Sequence, residues 1–204
     1  MQEFDLSKRI IIFTYQPFSK MPIQKTTPED IIKKSIKVFR QNGYYRTTMN
    51  DLAKEIGLTK GVFYHHFSSK EEVMIKSLQA TSSWFNKKIF SIAYQDELNP
   101  KERLIKMADA LFQSFTGFKG GCFFANTILE TAHVEDTFLQ EIDLFFENFE
   151  NALTNIYKEK YTQTHLKNTV QETIADIEGS ILLMQLKKDT QLLQNALDRA
   201  IHRF

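Results

Sequence analysis

Apolar residues recur along most of this chain at intervals of three and four, the spacing that lines one side of a helix and leaves the other side to water. The first such segment opens with Thr27-Pro28-Glu29-Asp30. Thr27 suits an N-cap, Pro28 the first helical position, and Asp30 completes a capping box. Ile32, Ile36 and Phe39 follow at i, i+4 and i+7, and Asn42-Gly43 ends the segment. A long helix is expected over 70–94, with Val73, Ser77, Ala80, Trp84 and Ile92 on its inner face. Asn99-Pro100 breaks the pattern, and a helix over 101–115 carries Leu104, Ile105, Ala108, Leu111, Phe112 and Phe115. Gly117, Gly120 and Gly121 form the next break. Helices over 122–132, 137–161, 166–187 and 190–202 complete the chain. Clean alternation, the mark of a half-buried strand, is missing throughout, so the expected fold is all-α with about nine helices.

The stretch from Thr47 to Lys70, T-T-M-N-D-L-A-K-E-I-G-L-T-K-G-V-F-Y-H-H-F-S-S-K, is the most informative. Thr47 or Thr48 can cap a short helix whose Leu52, Ala53 and Ile56 face inward. Gly57 supplies a left-handed turn, and Leu58 plugs the corner. A second helix starts near Thr59 and is expected to bury Val62, Phe63 and Phe67, leaving Lys60, Tyr64, His65 and His66 outside. Ser68 or Ser69 caps the helix after it. A polar, basic and aromatic outer face on a short, well-seated helix is what reading a DNA groove requires. Lys60, Gly61 and Val62 open that helix, where side chains reach base edges; Gly61 permits close backbone approach and Val62 suits a thymine methyl. Thr48, Tyr64, His65, His66 and Lys70 are better placed for phosphates.

The longer run from Gly43 to Glu72, G-Y-Y-R-T-T-M-N-D-L-A-K-E-I-G-L-T-K-G-V-F-Y-H-H-F-S-S-K-E-E, resembles the DNA-binding head of the TetR family of bacterial transcriptional regulators. The resemblance covers residues 28–76 and includes the aromatic-His-aromatic run Tyr64, His65, His66 and Phe67 and the Lys70 beyond it. It implies an all-helical homodimer that binds double-stranded DNA at a palindromic operator and answers to a small-molecule effector. It also implies phosphate contacts at Thr48, Tyr64, His66 and Lys70. Members of the family vary at positions matching Lys60 to Val62, so the operator does not follow.

Composition and charge agree with that picture. The chain has 204 residues, 42% of them hydrophobic, with seven Gly and four Pro, which favours helices over turn-rich β architecture. Apolar runs fall short of a membrane span. One cysteine excludes an intrachain disulfide and suits a reducing cytoplasm. Residues 1–76 hold 13 Lys+Arg against 8 Asp+Glu, whereas the remainder holds 13 against 17. A basic head on an acidic body is expected if only the head meets phosphates. The chain therefore divides into an N-terminal arm or extended start (1–27), a helix-turn-helix domain (28–76) and a helical effector-binding and dimerisation domain (77–204). Met21 is a candidate initiator, which would make the residues before it an extension.

The effector site is read from the phenylalanines. Of 18 Phe, twelve follow Ser83, enough to line an apolar cavity or to build an ordinary aromatic core. Trp84, Phe112, Phe115, Cys122, Phe123, Asn126 and Phe149 are the candidate effector contacts, with Asn126 and Glu130 on one helical face as polar anchors. Cys122 follows Gly120-Gly121 at an expected helix start, where the macrodipole lowers a thiol pKa. The segment G-C-F-F-A-N-T-I-L-E, Gly121 to Glu130, resembles one in a branch of the family in which some members respond to quinones or other electrophiles. A thiol sensor and a small residue packing a tight helix start are both open.

No catalytic, metal or cofactor site is expected. His65 and His66 are adjacent and diverge on a helix, and Cys122 with His133 lacks a third ligand. The sequence thus describes a ligand-responsive repressor that dimerises through its last two helices, with Ile181, Leu182, Met184, Leu192, Leu193, Leu197 and Ile201 as the seam. Two rivals remain: a DNA-binding adaptor with a filled core, and a hydrolase using Cys122 as nucleophile and His133 as base.

Overall fold

The computed structural model describes residues 26–117, 120–134 and 136–204. The expected N-terminal arm lies almost wholly outside them. Among the described residues there are nine α-helices, one 3₁₀ turn and no strand. They are α1 (Pro28–Asn42), α2 (Met49–Ile56), α3 (Lys60–His66), α4 (Lys70–Lys88), α5 (Pro100–Gly117), α6 (Phe123–Thr131), α7 (Leu139–Tyr157), α8 (Gln163–Lys187) and α9 (Gln191–Arg203). The fold is the expected all-α one, and local chemistry explains most of its boundaries.

At the start of α1 the capping box is present: Asp30 N–H donates to Thr27 Oγ1 at 3.2 Å, and Thr27 N–H donates back to the Asp30 carboxylate at 3.3 Å. That exchange satisfies amide groups the helix itself leaves open. It also holds the Asp30 carboxyl below its ordinary range. The long helix expected over 70–94 is shorter. Ile89 leaves the helical region, and Phe90–Tyr94 continues as a 3₁₀ turn. Arg103 of α5 fixes this corner from inside. Its Nε donates to the carbonyls of Gln95 (2.7 Å) and Leu98 (2.9 Å), and Nη2 reaches Asp96 at 3.3 Å.

Helix α1 lies on α4 and α2, and α2 on α3; α7 packs on α8, α8 on α9, and α5 against α7 and α9. Rings fill the centre of the larger part. Phe124 and Phe145 stack 3.7 Å apart, Phe90 and Phe149 stack at 5.1 Å, and Phe85 meets Phe145 edge-on at 5.3 Å. Each buried ring contributes about 1.5–3 kcal/mol by leaving water. The aromatic richness therefore builds a core here. Tyr157 ties α7 to α9 by donating to the Ala200 carbonyl at 2.7 Å, and burial pushes its phenol up to about 12.

The expected seam on the last two helices needs correction. Ile181, Met184, Leu193 and Leu197 point into the chain's own core, and Leu192 and Ile201 are partly covered. Of the seven, only Leu182 is well exposed, at 63%; Leu183 and Leu186 join it on the outer face of α8. Both faces of α8 carry leucine-type residues, so periodicity alone did not say which one closes on α9.

Candidate nucleic-acid interface

Helices α2 and α3 form the turn that the sequence anticipates. Thr48, not Thr47, caps α2: Asp51 N–H donates to Thr48 Oγ1 at 3.2 Å, and Thr48 N–H donates to the Asp51 carboxylate at 2.9 Å. Thr47 is buried, with its hydroxyl donating to the Gly43 carbonyl at 2.6 Å. Gly57 sits at φ 81°, ψ 25°, the left-handed region that an L side chain resists. Nothing lies within 4 Å of where its Cβ would be, so the dihedral angle and not space demands glycine. Leu58 N–H then returns to the Ala53 carbonyl at 2.9 Å, and Thr59 caps α3 by accepting from Val62 N–H at 3.4 Å.

Seating and reading residues separate cleanly on α3. Phe63 is fully buried and Phe67 nearly so, their rings 5.9 Å apart. Lys60, Gly61, Tyr64 and His65 are exposed and His66 is half-buried. Val62, expected to be buried, is 45% exposed: α3 spans under two turns, and only the Phe63 side of it meets α2. Exposure is what the thymine-methyl role needed. The Lys60 ammonium lies 5.7 Å from the Tyr64 ring, so charge and aromatic surface occupy one face.

Lys70, expected on a phosphate, also has a partner within the chain. Its Nζ donates to the Tyr44 carbonyl at 3.0 Å and stands 4.1 Å from the Tyr44 ring centroid. An ammonium carries three donors, so two remain for other partners. Ser69, of the two candidate serines, caps α4 by accepting from Glu72 N–H at 3.1 Å.

Tyr44 is the residue that sequence reasoning passed over. It is 2% exposed and stands where the α1–α2 connection meets α4, α6 and the start of α7. Its hydroxyl donates to Glu71 at 2.9 Å; the Glu71 backbone N–H first, and this hydroxyl after it, keep that carboxyl below its ordinary range. Its ring meets Phe138 edge-on at 4.7 Å. The N–H groups of Tyr44 and Tyr45 both donate to the Glu130 carboxylate, each at 2.8 Å. At the other end of α6, Arg40 Nη2 donates to the Gly121 carbonyl at 2.7 Å. Asn126 Nδ2 donates to the Gly120 carbonyl at 2.6 Å. Gly120 and Gly121 have φ of 101° and 66°; a Cβ at Gly120 would come within 2.9 Å of the Arg40 carbonyl, and one at Gly121 within 1.8 Å of Gln185. Helix α6 thus grips the helix-turn-helix unit at both ends.

The seven expected effector contacts do not meet in one cavity. Phe123, Phe149 and Cys122 are buried in the core, and Phe112 is packed against it. Phe123 and Asn126, with Glu130, line a cleft of ≈ 190 Å³ between α1 and α6, where the expected anchors Asn126 and Glu130 are already bonded to the chain. Trp84 and Phe115 line a separate groove of ≈ 1020 Å³ between α1, α4 and α5.

Cys122 does cap α6: its Sγ accepts from Ala125 N–H at 3.5 Å. The thiol pKa nevertheless rises well above its ordinary value, opposite to the expected direction. Burial is the chief cause and the neighbouring Glu178 carboxyl adds to it, together outweighing the α6 amides. Glu178, unremarked in the sequence, is pushed up to about 7 by the same burial. His133, the base of the hydrolase reading, is exposed. Among the described residues no group of three His, Cys, Asp or Glu could hold a metal, and no helix is long and apolar enough to cross a membrane.

Comparison with known proteins matches this division of labour. Residues 31–76 fit the family model for bacterial regulatory proteins of the tetR family, and residues 100–199 fit that of the LmrA/YxaF-like transcriptional regulator C-terminal domain. The repressor DhaR of Mycobacterium sp. strain GP1 is 25% identical over 175 residues, covering 83% of this chain and 87% of its own. A TetR transcriptional regulator from Legionella pneumophila superposes with a TM-score of 0.80 at 19% identity, covering 90% of this chain and all of its own. The regulator FadR from Bacillus subtilis, solved with stearoyl-CoA, superposes at 0.70 with 18% identity, covering 86% of this chain and 98% of its own. The two family models, which between them cover residues 31–76 and 100–199, place the chain in the TetR family of bacterial regulatory proteins, as a transcriptional regulator with a DNA-binding helix-turn-helix.

Proposed function

We propose that this regulator is a homodimeric repressor that a small molecule releases from a palindromic operator. The observation that carries the reading is the outer face of α3, where Lys60, Gly61, Val62, Tyr64 and His65 are exposed above the buried Phe63. Lys60, Gly61 and Val62 read base edges in the major groove. Thr48, Thr59, Tyr64, His65, His66 and Lys70 position the unit on phosphates. Residues 28–76 act as the DNA-binding domain and 77–204 as the effector-binding and dimerisation domain, working in the bacterial cytoplasm.

Two copies join through the outer face of α8, where Leu182, Leu183 and Leu186 form an apolar row, with α9 alongside. Their two-fold axis sets two α3 helices about one helical turn of DNA, or a multiple, apart. Effector and DNA then oppose each other reciprocally, each favouring a different setting of α1 against α4. The adaptor alternative gains from the ring-filled centre but is disfavoured by the large groove beside Trp84.

Selection of bound fragments from random and genomic DNA tests the reading. A recovered inverted repeat, protected as two half-sites, is the expected result. Recovery of unrelated sequences with no repeat, or binding that survives Lys60→Ala with unchanged preference, would remove α3 from the interface.

A further inference from the structure

We propose that the groove between α1, α4 and α5 is the effector site, and that it takes an amphipathic anion: an apolar chain carrying one negatively charged head. The proposal rests on the ligand-released reading above and names the site and ligand class for it, placing the effector at the seam between residues 28–76 and 77–204 and not within 77–204 alone.

The first argument is shape and surface. The groove holds ≈ 1020 Å³, at the upper end of small-molecule sites. Ile32 and Ile36 of α1 form one wall and Ala80 and Trp84 of α4 the other, with Phe115 of α5 at one end. Trp84 is 42% exposed, although α4 buries Phe85 beside it. The open indole and the half-buried Ile36 in the same groove are apolar surface left in water, and a chain laid along them would cover it. The groove follows α1 from Pro28 to Gln41, roughly 20 Å of helix, so it suits an extended ligand better than a compact one.

The second argument is charge. Lys33, Lys37, Arg40 and Lys76 line the groove, with one acid, Glu29, and the Arg40 guanidinium is engaged by the Gly121 carbonyl. Lys37 already meets Glu55 at 2.7 Å. Lys33 stands on the α1 wall and Lys76 on the α4 wall, so both sides of the groove carry an ammonium group. An apolar floor with ammonium groups at its edge matches an anion on a hydrocarbon chain and opposes a cation on the same chain.

The third argument is position. The walls are α1 and α4, which pack on one another beside the grip of α6. Stacked rings occupy the centre of the body, and the cleft by Glu130 is about a fifth of the groove's size. A ligand in the groove acts directly on the α1–α4 packing that sets where α3 points, so it needs no relay through the body.

Trp84 is the only tryptophan in the chain, so its emission reports on the groove alone. The full-length protein is titrated with dodecanoate, dodecanol and dodecyltrimethylammonium, each below its micelle threshold. Saturable dodecanoate binding is expected, with the alcohol and the cation about tenfold weaker or worse, since two ammonium partners are lost or opposed. Lys33→Glu combined with Lys76→Glu should weaken dodecanoate by a similar factor, and Ala80→Phe should block it by filling the groove. All three positions are exposed, so unchanged circular dichroism is expected. Equal affinity for the three amphiphiles, or dodecanoate binding untouched by Ala80→Phe, overturns the proposal. So does Trp84 emission that changes only with protein concentration, which would give the groove to a second copy. DNA binding is followed in parallel. Dodecanoate that occupies the groove without releasing DNA upholds the site and defeats the release reading. A compound that releases Ala80→Phe from DNA as readily as the parent upholds release and defeats the site.

Discussion

Glu130 holds Tyr44 by its backbone: the carboxylate accepts the Tyr44 N–H at 2.8 Å and the neighbouring Tyr45 N–H at the same distance. These two amides, in the connection between α1 and α2, are held by a side chain 86 and 85 residues further along. Glu130→Ala removes both acceptors at once. We expect hydrogen exchange at these two amides to accelerate at least tenfold and stability to fall by about 1–3 kcal/mol. Unchanged exchange at Tyr44 would mean that the loop keeps its shape without α6.

Lys70→Ala has a double expectation. Loss of a phosphate partner should weaken binding to every DNA sequence and flatten the logarithmic salt dependence by about one unit. Loss of the bond to the Tyr44 carbonyl should also lower the melting temperature. Lys60→Ala touches neither Tyr44 nor the core, so it should shift sequence preference with the melting temperature unchanged. A salt slope identical to the parent in Lys70→Ala would assign Lys70 to Tyr44 alone.

The helix-turn-helix was legible because its chemistry is local. Thr27 with Asp30 and Gly57 each act within a few residues and stand where the sequence placed them, and Thr48, one of the two caps the sequence allowed, is joined by a local partner, Asp51. What escaped depends on distant partners. Tyr44 with Glu130, Arg40 with Gly121, and Cys122 with Glu178 all join segments far apart in the chain. The phenylalanines misled for a related reason: spacing shows that a ring faces inward, but not whether it meets another ring or empty space.

Dimerisation separates the two leucine faces of α8 and α9. Leu182→Asp with Leu186→Asp puts charge on exposed positions, so the expected product is a folded monomer with little operator affinity. Leu193→Asp, fully buried, should instead unfold the chain, because an unpaired carboxylate in a core costs several kcal/mol. Sedimentation and circular dichroism distinguish the cases. A folded dimer in the double variant would move the interface off α8.

Cys122 should behave as a buried thiol. Its pKa is raised, so alkylation of the native protein at neutral pH should be slow and should speed up only on unfolding or well into the alkaline range. Cys122→Ser should leave any oxidant effect on DNA binding intact. Rapid modification at pH 7 with loss of DNA binding would restore the sensor reading.

Glu178 gives a pH dependence of definite sign. Its folded pKa of about 7 lies above the ordinary 4.5, so the folded chain holds this proton more tightly than the unfolded one. The associated stability is full below pH 4.5 and is lost as pH rises through 7, by on the order of 3 kcal/mol. Glu178→Gln should therefore match the parent at pH 4.5 and exceed it at pH 8. Denaturant unfolding at the two pH values checks this, and equal stabilities at pH 8 would place Glu178 in contact with water.

Because Glu130 grips peptide N–H groups and not side chains, the joint it makes is indifferent to which residues occupy 44 and 45, provided the loop keeps its course. Any operator-reading module with the same turn between its first two helices would find this clasp ready. The Arg40 contact at the opposite end of α6 is of the other kind, since it is lost with the guanidinium. Exchange of whole modules between relatives thus meets one fastening that any residue but proline can make and one that must be carried across with the graft, so a chimaera should keep its module seated on α6 when it brings arginine at 40.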